Sequence, residues 1–217
     1  MTSDLSFWPT PRAAYVHVPF CRHRCGYCNF SVVAGRDDLV GRFLAAIDRE
    51  LSLLERPEID TLFIGGGTPT HLPVAELSKL LELMRQRFRF AEDMEWSVEA
   101  NPEDIHCEKL DLLAEYGVNR ISLGAQSFQS EKLQLLERGH RQGEAMQAIE
   151  WSAEKIENVS IDLIFAAPGE RITGWHKDLK TAFELPIKHL SAYALTFEKG
   201  TSFWSRRMHG KMTGLDE

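Results

Sequence analysis

Short apolar runs rich in β-branched residues alternate along this chain with longer amphipathic stretches. The runs are AAYVHV (13–18), DTLFIG (60–65), EWSVEA (95–100), NRISLG (119–124), VSIDLIF (159–165) and HLSAYAL (189–195). Their length and composition predict strands. The stretches 37–54, 74–88, 107–117, 143–156 and 174–185 carry apolar residues at i, i+3, i+4 and i+7, which predicts helices. Gly117 stands where a helix C-terminal glycine belongs. Strand and helix alternating in this way predict an α/β fold with a parallel sheet, either open and doubly wound or curling toward a barrel. The pattern alone does not choose between them. In both architectures ligands gather at the C-terminal ends of the strands.

The residues that follow the runs are chemically unusual. After the first come Cys21, Cys25 and Cys28, and after the second GGGTPT (65–70). The third ends in Glu99 and Asn101, and the fourth leads into Gln126. The fifth carries Asp162 and ends at Ala166-Ala167-Pro168, and the sixth leads to TFEKGT.

Composition narrows the class. The 217 residues are 43 % apolar and 26 % charged, enough for a packed core and unlike a disordered chain. No apolar run approaches the roughly 18 residues that suggest a membrane span, so no transmembrane segment is expected. The N-terminal stretch lacks a basic start followed by an apolar run, so no secretory leader is expected and the chain is placed in the cytoplasm. A net charge of −7 argues against a nucleic-acid partner.

Three of the four cysteines fall within eight residues, as Cys21-x3-Cys25-x2-Cys28, while Cys107 stands far off. In a reducing compartment such a cluster points to metal or catalysis. Thiolates are soft ligands that suit an iron–sulfur cluster or zinc. Zinc would need a fourth ligand, for which His17 and His23 are candidates, and plain buried thiols are the bland alternative. Three cysteines on a cubane cluster leave one iron open to a small chelating ligand. GGGTP after a strand is a close-approach backbone motif or a tight turn; no Lys follows, so it is not a phosphate loop. Glu99, Gln126, Arg138 and Asp162 lie at or beyond strand ends, where carboxylates can hold ribose hydroxyls or an amine and arginine a carboxylate. Taken singly, each reads as a surface or capping residue.

The cysteine motif preceded by YVHVPF and followed by GGGTP resembles the radical S-adenosylmethionine (SAM) superfamily. SLGAQSF, IDLIF and HLSAYALTFEKGTSFW resemble its branch of oxygen-independent coproporphyrinogen III dehydrogenases and HemW-type haem chaperones, over nearly the whole chain from Tyr15. The resemblance implies a partial (β/α)6 barrel in one core domain, residues 1–217. It implies a [4Fe–4S] cluster on Cys21, Cys25 and Cys28, whose open iron chelates SAM, and reductive cleavage that releases a 5′-deoxyadenosyl radical. It implies that Tyr15 and Tyr27 contact SAM or pack by its adenine. Gly66, Gly67 and Thr68 would meet its methionine end or a second SAM, and Glu99 would hold the first SAM. Gln126, Arg138 and Asp162 would line a second nucleotide site, with Thr196 near the adenine. An electron donor for the cluster, and haem or a porphyrinogen, follow as partners.

Three departures from that branch bear on function. The dehydrogenases carry a further cysteine two residues after the third, where this chain has Asn29 and then Phe30. Their fifth strand ends in Gly-Leu-Pro, here Ala166-Ala167-Pro168. Family members continue beyond Glu217 into a C-terminal domain, which in the chaperones carries a His-Asn-x-x-Tyr-Trp segment linked to haem, so the chain is expected to be an N-terminal fragment. The expected function is a haem chaperone that hands haem to an acceptor protein. The alternatives are the decarboxylating dehydrogenase, whose substrate-binding N-terminal residues have little room in the few positions ahead of Tyr15, and a zinc-stabilised binding protein.

Overall fold

The computed structural model describes residues 11–214. The expectations about the N-terminal leader and the chain's end fall largely on residues 1–10 and 215–217, outside that range. The principal sheet joins β1 (Ala13–Val18), β4 (Glu58–Gly66), β5 (Arg89–Ala100), β6 (Arg120–Gln126), β7 (Asn158–Phe165) and β8 (His189–Ala194), in that spatial order and all parallel. Two-residue strands β2 (Phe20–Cys21) and β3 (Val33–Ala34) bracket the cysteine loop. All six predicted strands are present.

Spatial order equals chain order, so the sheet has no reversal point. A doubly wound sheet needs one. Right-handed crossovers that always advance in one direction put every helix on the same face, and the twisted sheet curls into a partial barrel. The choice that periodicity left open is thereby made.

The helices are α1 (Val40–Leu51), α2 (Val74–Arg87), α3 (Cys107–Glu115), α4 (Ser130–Leu135), α5 (Gln142–Lys155), α6 (Ile172–Phe183) and α7 (Ser202–Met208). The predicted helix 37–54 opens as a 3-10 turn at Asp37–Leu39, and its last three residues lie outside the helix. In α2, Leu77, Leu80, Leu81 and Met84 form the buried stripe, and Arg85 and Arg87 face the negative end of the helix dipole. Gly117 takes φ +88° and closes α3 as expected. Helices α4 and α7 were not predicted; at six and seven residues they are too short for a helical period to register.

Alternation along each strand sorts the two sheet faces. Val16, Val18, Leu62, Ile64, Trp96, Val98, Ile121, Leu123, Val159, Ile161 and Leu163 pack under the helices as one core. The intervening positions are Tyr15, His17, Phe63, Gly65, Ser97, Glu99, Ser122, Gly124, Ser160 and Asp162. A strand places successive side chains on opposite faces, so this second set shares the inner face of the barrel. Register aligns it across strands: Glu99 sits opposite Ser122, Ser122 opposite Ser160, and Asp162 opposite Ser191. Most of this inner face is polar, in contrast to the apolar set under the helices.

Candidate functional site

A cleft of about 150 Å³ opens at the C-terminal ends of the strands. Its wall contains Cys21, Cys25, Tyr27, Cys28, Gly66, Gly67, Thr68, Glu99, Gln126, Arg138 and Asp162. Eleven of the thirteen residues singled out from the sequence are thus brought together across five loops and strand ends. Two are not. Tyr15 is outside the wall, largely exposed and stacked on Phe63 with ring centroids 5.9 Å apart. Thr196 is exposed and also absent from the wall.

The cysteine loop has no helix. Cys28 N–H donates to the Cys25 carbonyl at 3.0 Å, a turn that folds the second and third thiols toward one side. Cys21 Sγ lies 3.6 Å from Thr68 Oγ1, and Arg138 Nη1 lies 3.6 Å from Cys25 Sγ. Burial raises the pKa of the Cys21 and Cys28 thiols above the usual range. A metal or cluster taking these sulfurs must therefore displace protons from them. Among the described residues, no three His, Cys, Asp or Glu side chains converge as ligands of a single ion. The two histidines considered as a fourth ligand are both engaged: His17 Nε2 with the Ser31 carbonyl at 2.8 Å, His23 Nε2 with the Glu137 carbonyl at 2.6 Å.

The glycine loop does something the sequence did not reveal. Gly66 N–H donates to Glu99 Oε2 at 2.8 Å, Gly67 N–H to the Val18 carbonyl at 2.7 Å, and Thr68 N–H to the Phe20 carbonyl at 2.8 Å. All three amides are engaged within the chain, so a ligand here is met by carbonyl oxygens and side chains. A Cβ on Gly67 would lie 2.7 Å from the Phe20 carbonyl oxygen and 2.8 Å from the Val18 carbonyl oxygen. The glycines thus let this loop lie against the backbone entering the cysteine loop.

Arg138 is the hub of the wall. Its guanidinium donates to Asn101 Oδ1 at 2.6 Å and to the Gly124 carbonyl at 3.0 Å, and lies 3.5 Å from the Tyr27 hydroxyl. Its buried Nε has no partner among the described residues. Asn101 in turn donates to Thr68 Oγ1 at 3.0 Å, which links the arginine to the glycine loop. Burial raises the pKa of Glu99, with the negative charge of Asp162 adding to the effect, and burial likewise raises that of Asp162. Ser122 Oγ lies 3.3 Å from the Asp162 carboxylate.

Gln126 in the cleft wall and Ala166 outside it are held in strained backbone. Gln126, at a register shift between β6 and β7, and Ala166, just past β7, each have φ +61°. This left-handed region costs an L-residue about 1–2 kcal/mol. Strain at Gln126 aims a polar side chain into the cleft, a pattern common at functional sites. At Ala166 the same φ is one that glycine would adopt without strain.

Sequence reasoning missed Ser122 and Gly124. The signal was available: in RISLGAQ, with Ile121, Leu123 and Ala125 facing the core, Ser122, Gly124 and Gln126 share the other face.

The sequence profile of the radical SAM superfamily matches residues 15–182. The chain belongs to the radical SAM superfamily. Membership implies a [4Fe–4S] cluster and SAM. Among radical SAM relatives, the chain is 36 % identical over 207 residues to the haem chaperone HemW of Bacillus subtilis, covering 93 % of this chain and 55 % of that protein. It is 39 % identical over 211 residues to the haem chaperone HemW of Synechocystis, covering 93 % and 51 %. Among solved structures, the Escherichia coli radical SAM enzyme coproporphyrinogen III oxidase (HemN) superposes with a TM-score of 0.84 at 29 % identity, covering 95 % of this chain and 49 % of that one. The chain spans about half the length of these relatives. Among the described residues, no helix of this radical SAM chain is long and apolar enough to cross a membrane.

Proposed function

We propose that this chain is the cluster- and SAM-binding half of a haem chaperone, which takes up haem as cargo and hands it to an acceptor protein. The observation that carries the reading is the sequence Cys28-Asn29-Phe30. The decarboxylating branch has a further cysteine where this chain has Phe30, and the relatives named haem chaperone are 36 % and 39 % identical to it.

The residues present fit the two cofactors. Cys21, Cys25 and Cys28 are three soft sulfur donors on one cleft, as a cluster with one open iron requires. Thiolates that each take a different iron need not converge on a point, whereas the ligands of one zinc ion must. The orphaned Arg138 Nε, the buried Glu99 carboxyl and the glycine loop provide polar partners for a compact zwitterion beside those sulfurs. Together the cluster and SAM supply one-electron chemistry at a sulfonium carbon–sulfur bond.

The protein's own groups do the following work. Arg138 places positive charge 3.6 Å from Cys25 Sγ. Glu99 accepts from an ammonium while keeping the Gly66 N–H. Gln126 and Asp162 serve hydroxyl groups of a nucleoside. Tyr27 closes the apolar side, edge-on to Phe203 with centroids 6.0 Å apart. An electron donor reaches the cluster from outside.

The full-length protein, reconstituted anaerobically and titrated with haem, is expected to bind it with a shifted Soret band and to release it to an apo-acceptor. With SAM, a reductant and coproporphyrinogen III, it is expected to form no protoporphyrinogen IX. SAM-dependent decarboxylation would overturn the chaperone reading in favour of the second one, an oxygen-independent coproporphyrinogen III dehydrogenase. The likeness to HemN, and the presence of Gln126, Arg138 and Asp162 in one wall, are what favour that alternative.

A further inference from the structure

The cysteine loop has little structure of its own. Between the two-residue strands β2 and β3, the only backbone bonds among the described residues that close it locally are Cys28 N–H to the Cys25 carbonyl and Val32 N–H to the Phe30 carbonyl. Such a segment opens readily unless something outside holds it. Side chains from the cleft wall hold its ends and its thiols, among them Thr68 and Arg138, and the stretch between the second and third cysteines is backed by α7, the short helix that sequence periodicity did not show.

Two contacts carry that support. Gly26, between the second and third cysteines, presents its bare Cα to the Phe203 ring; a Cβ there would collide with Phe203 Cε1 and Cδ1. Phe203 N–H also donates to the Gly26 carbonyl at 2.8 Å, and its side chain is fully buried against Leu136, Ile164 and Tyr27. Separately, Arg206 donates to Glu137 Oε1 at 2.5 Å. Glu137, held at φ +56°, uses its carbonyl to accept from His23, whose ring lies 3.4 Å from Cys25 Sγ. Thr201 caps the helix by accepting the Trp204 N–H at 3.1 Å, which fixes where Phe203 points.

We propose that α7 is a clamp on the cysteine loop, with Phe203 as its positioning residue. Phe203 does not touch the metal site. It fixes the backbone between Cys25 and Cys28 from 177 positions further along the chain, and so sets how firmly a cluster is retained. This inference rests on the reading of the cysteines as a cluster site.

The test uses full-length, cluster-loaded protein and measures the rate at which a ferrous chelator removes iron, beside the melting temperature. Phe203→Ala is expected to release iron about tenfold faster, the order of effect seen when groups supporting metal ligands are removed. Gly26→Ala is expected to do the same by forcing Phe203 away, and the double variant Gly26→Ala with Phe203→Leu to recover part of the loss. Leu113→Ala, a core cavity under a different helix, is the control for general destabilisation. Equal iron release from Phe203→Ala and Leu113→Ala at matched melting temperatures overturns the clamp. Where Phe203→Ala does not fold, Arg206→Gln replaces it: faster release supports the clamp and a wild-type rate overturns it. Wild-type protein that holds no iron would instead sink the cluster reading itself.

Discussion

Gly66 N–H donates to Glu99 Oε2 at 2.8 Å, tying the glycine loop after β4 to the carboxyl at the end of β5. Glu99 therefore has one oxygen committed to the fold and another free for the cleft. Charged hydrogen bonds contribute about 1.5–3 kcal/mol, so Glu99→Ala is expected to weaken SAM binding at least about tenfold. Iron content should stay at the wild-type level. Calorimetric titration of cluster-loaded protein with SAM reads the first, and iron analysis the second; unchanged affinity would remove Glu99 from the pocket. Because burial raises its pKa, Glu99 is protonated at a higher pH than an ordinary glutamate, and SAM affinity should weaken as the pH falls into that range.

The four cysteines should divide three to one. Cys21, Cys25 and Cys28 line the cleft, whereas Cys107 is exposed at the start of α3. Serine at any of the first three is expected to abolish the reduced-cluster EPR signal, and Cys107→Ser to leave it intact. Loss of iron in the Cys107 variant would refute the ligand set.

Gly67→Ala should disturb the site through the fold. The new methyl meets backbone at 2.7–2.8 Å, which cannot swing aside as a flexible side chain can. Overpacking of this kind costs typically 1–3 kcal/mol. Urea unfolding is expected to show a loss in that range, and a neutral result would mean that the loop relaxes away from Val18 and Phe20.

Ala166→Gly should go the other way. At φ +61° alanine carries left-handed strain of about 1–2 kcal/mol, while glycine's extra freedom in the unfolded chain costs roughly 0.5–1 kcal/mol. The balance is unchanged stability or a gain of up to about 1.5 kcal/mol. A clear loss would show that the Ala166 methyl makes a contact worth more than its strain.

His140 predicts an acid-side loss of stability. It is buried, donates from Nε2 to the Ala125 carbonyl at 3.0 Å, and burial, with the nearby Arg138 charge, lowers its pKa to about 4. The unfolded chain takes up this proton near pH 6.5, before the folded one does. The contribution is therefore full above about pH 6.5 and is lost as the pH falls toward 4. Between pH 7 and 5 the loss is on the order of 2 kcal/mol. Comparing urea unfolding of wild type and His140→Gln at both pH values isolates it; an identical pH dependence would show that the folded histidine titrates normally.

Much of this protein could be read from one dimension. Alternation of β-branched runs with helical periods determined the six strands and five long helices, because burial on one face imposes period 2 or 3.6 locally. The cysteine spacing and GGGTP, placed after strands, determined where the cleft would be, because parallel strands deliver their C-terminal ends to one side. The tertiary structure alone decided the rest. Barrel against doubly wound sheet depends on the spatial order of strands, which no local pattern encodes; the family resemblance implied the partial barrel, and the strand order bears it out. That Gly66, Gly67 and Thr68 direct their amides inward, that Tyr15 and Thr196 stand outside the cleft wall, and that Gly26 is backed by Phe203 are contacts between distant segments. They follow from close packing at fixed volume, which is settled only when the whole chain has folded.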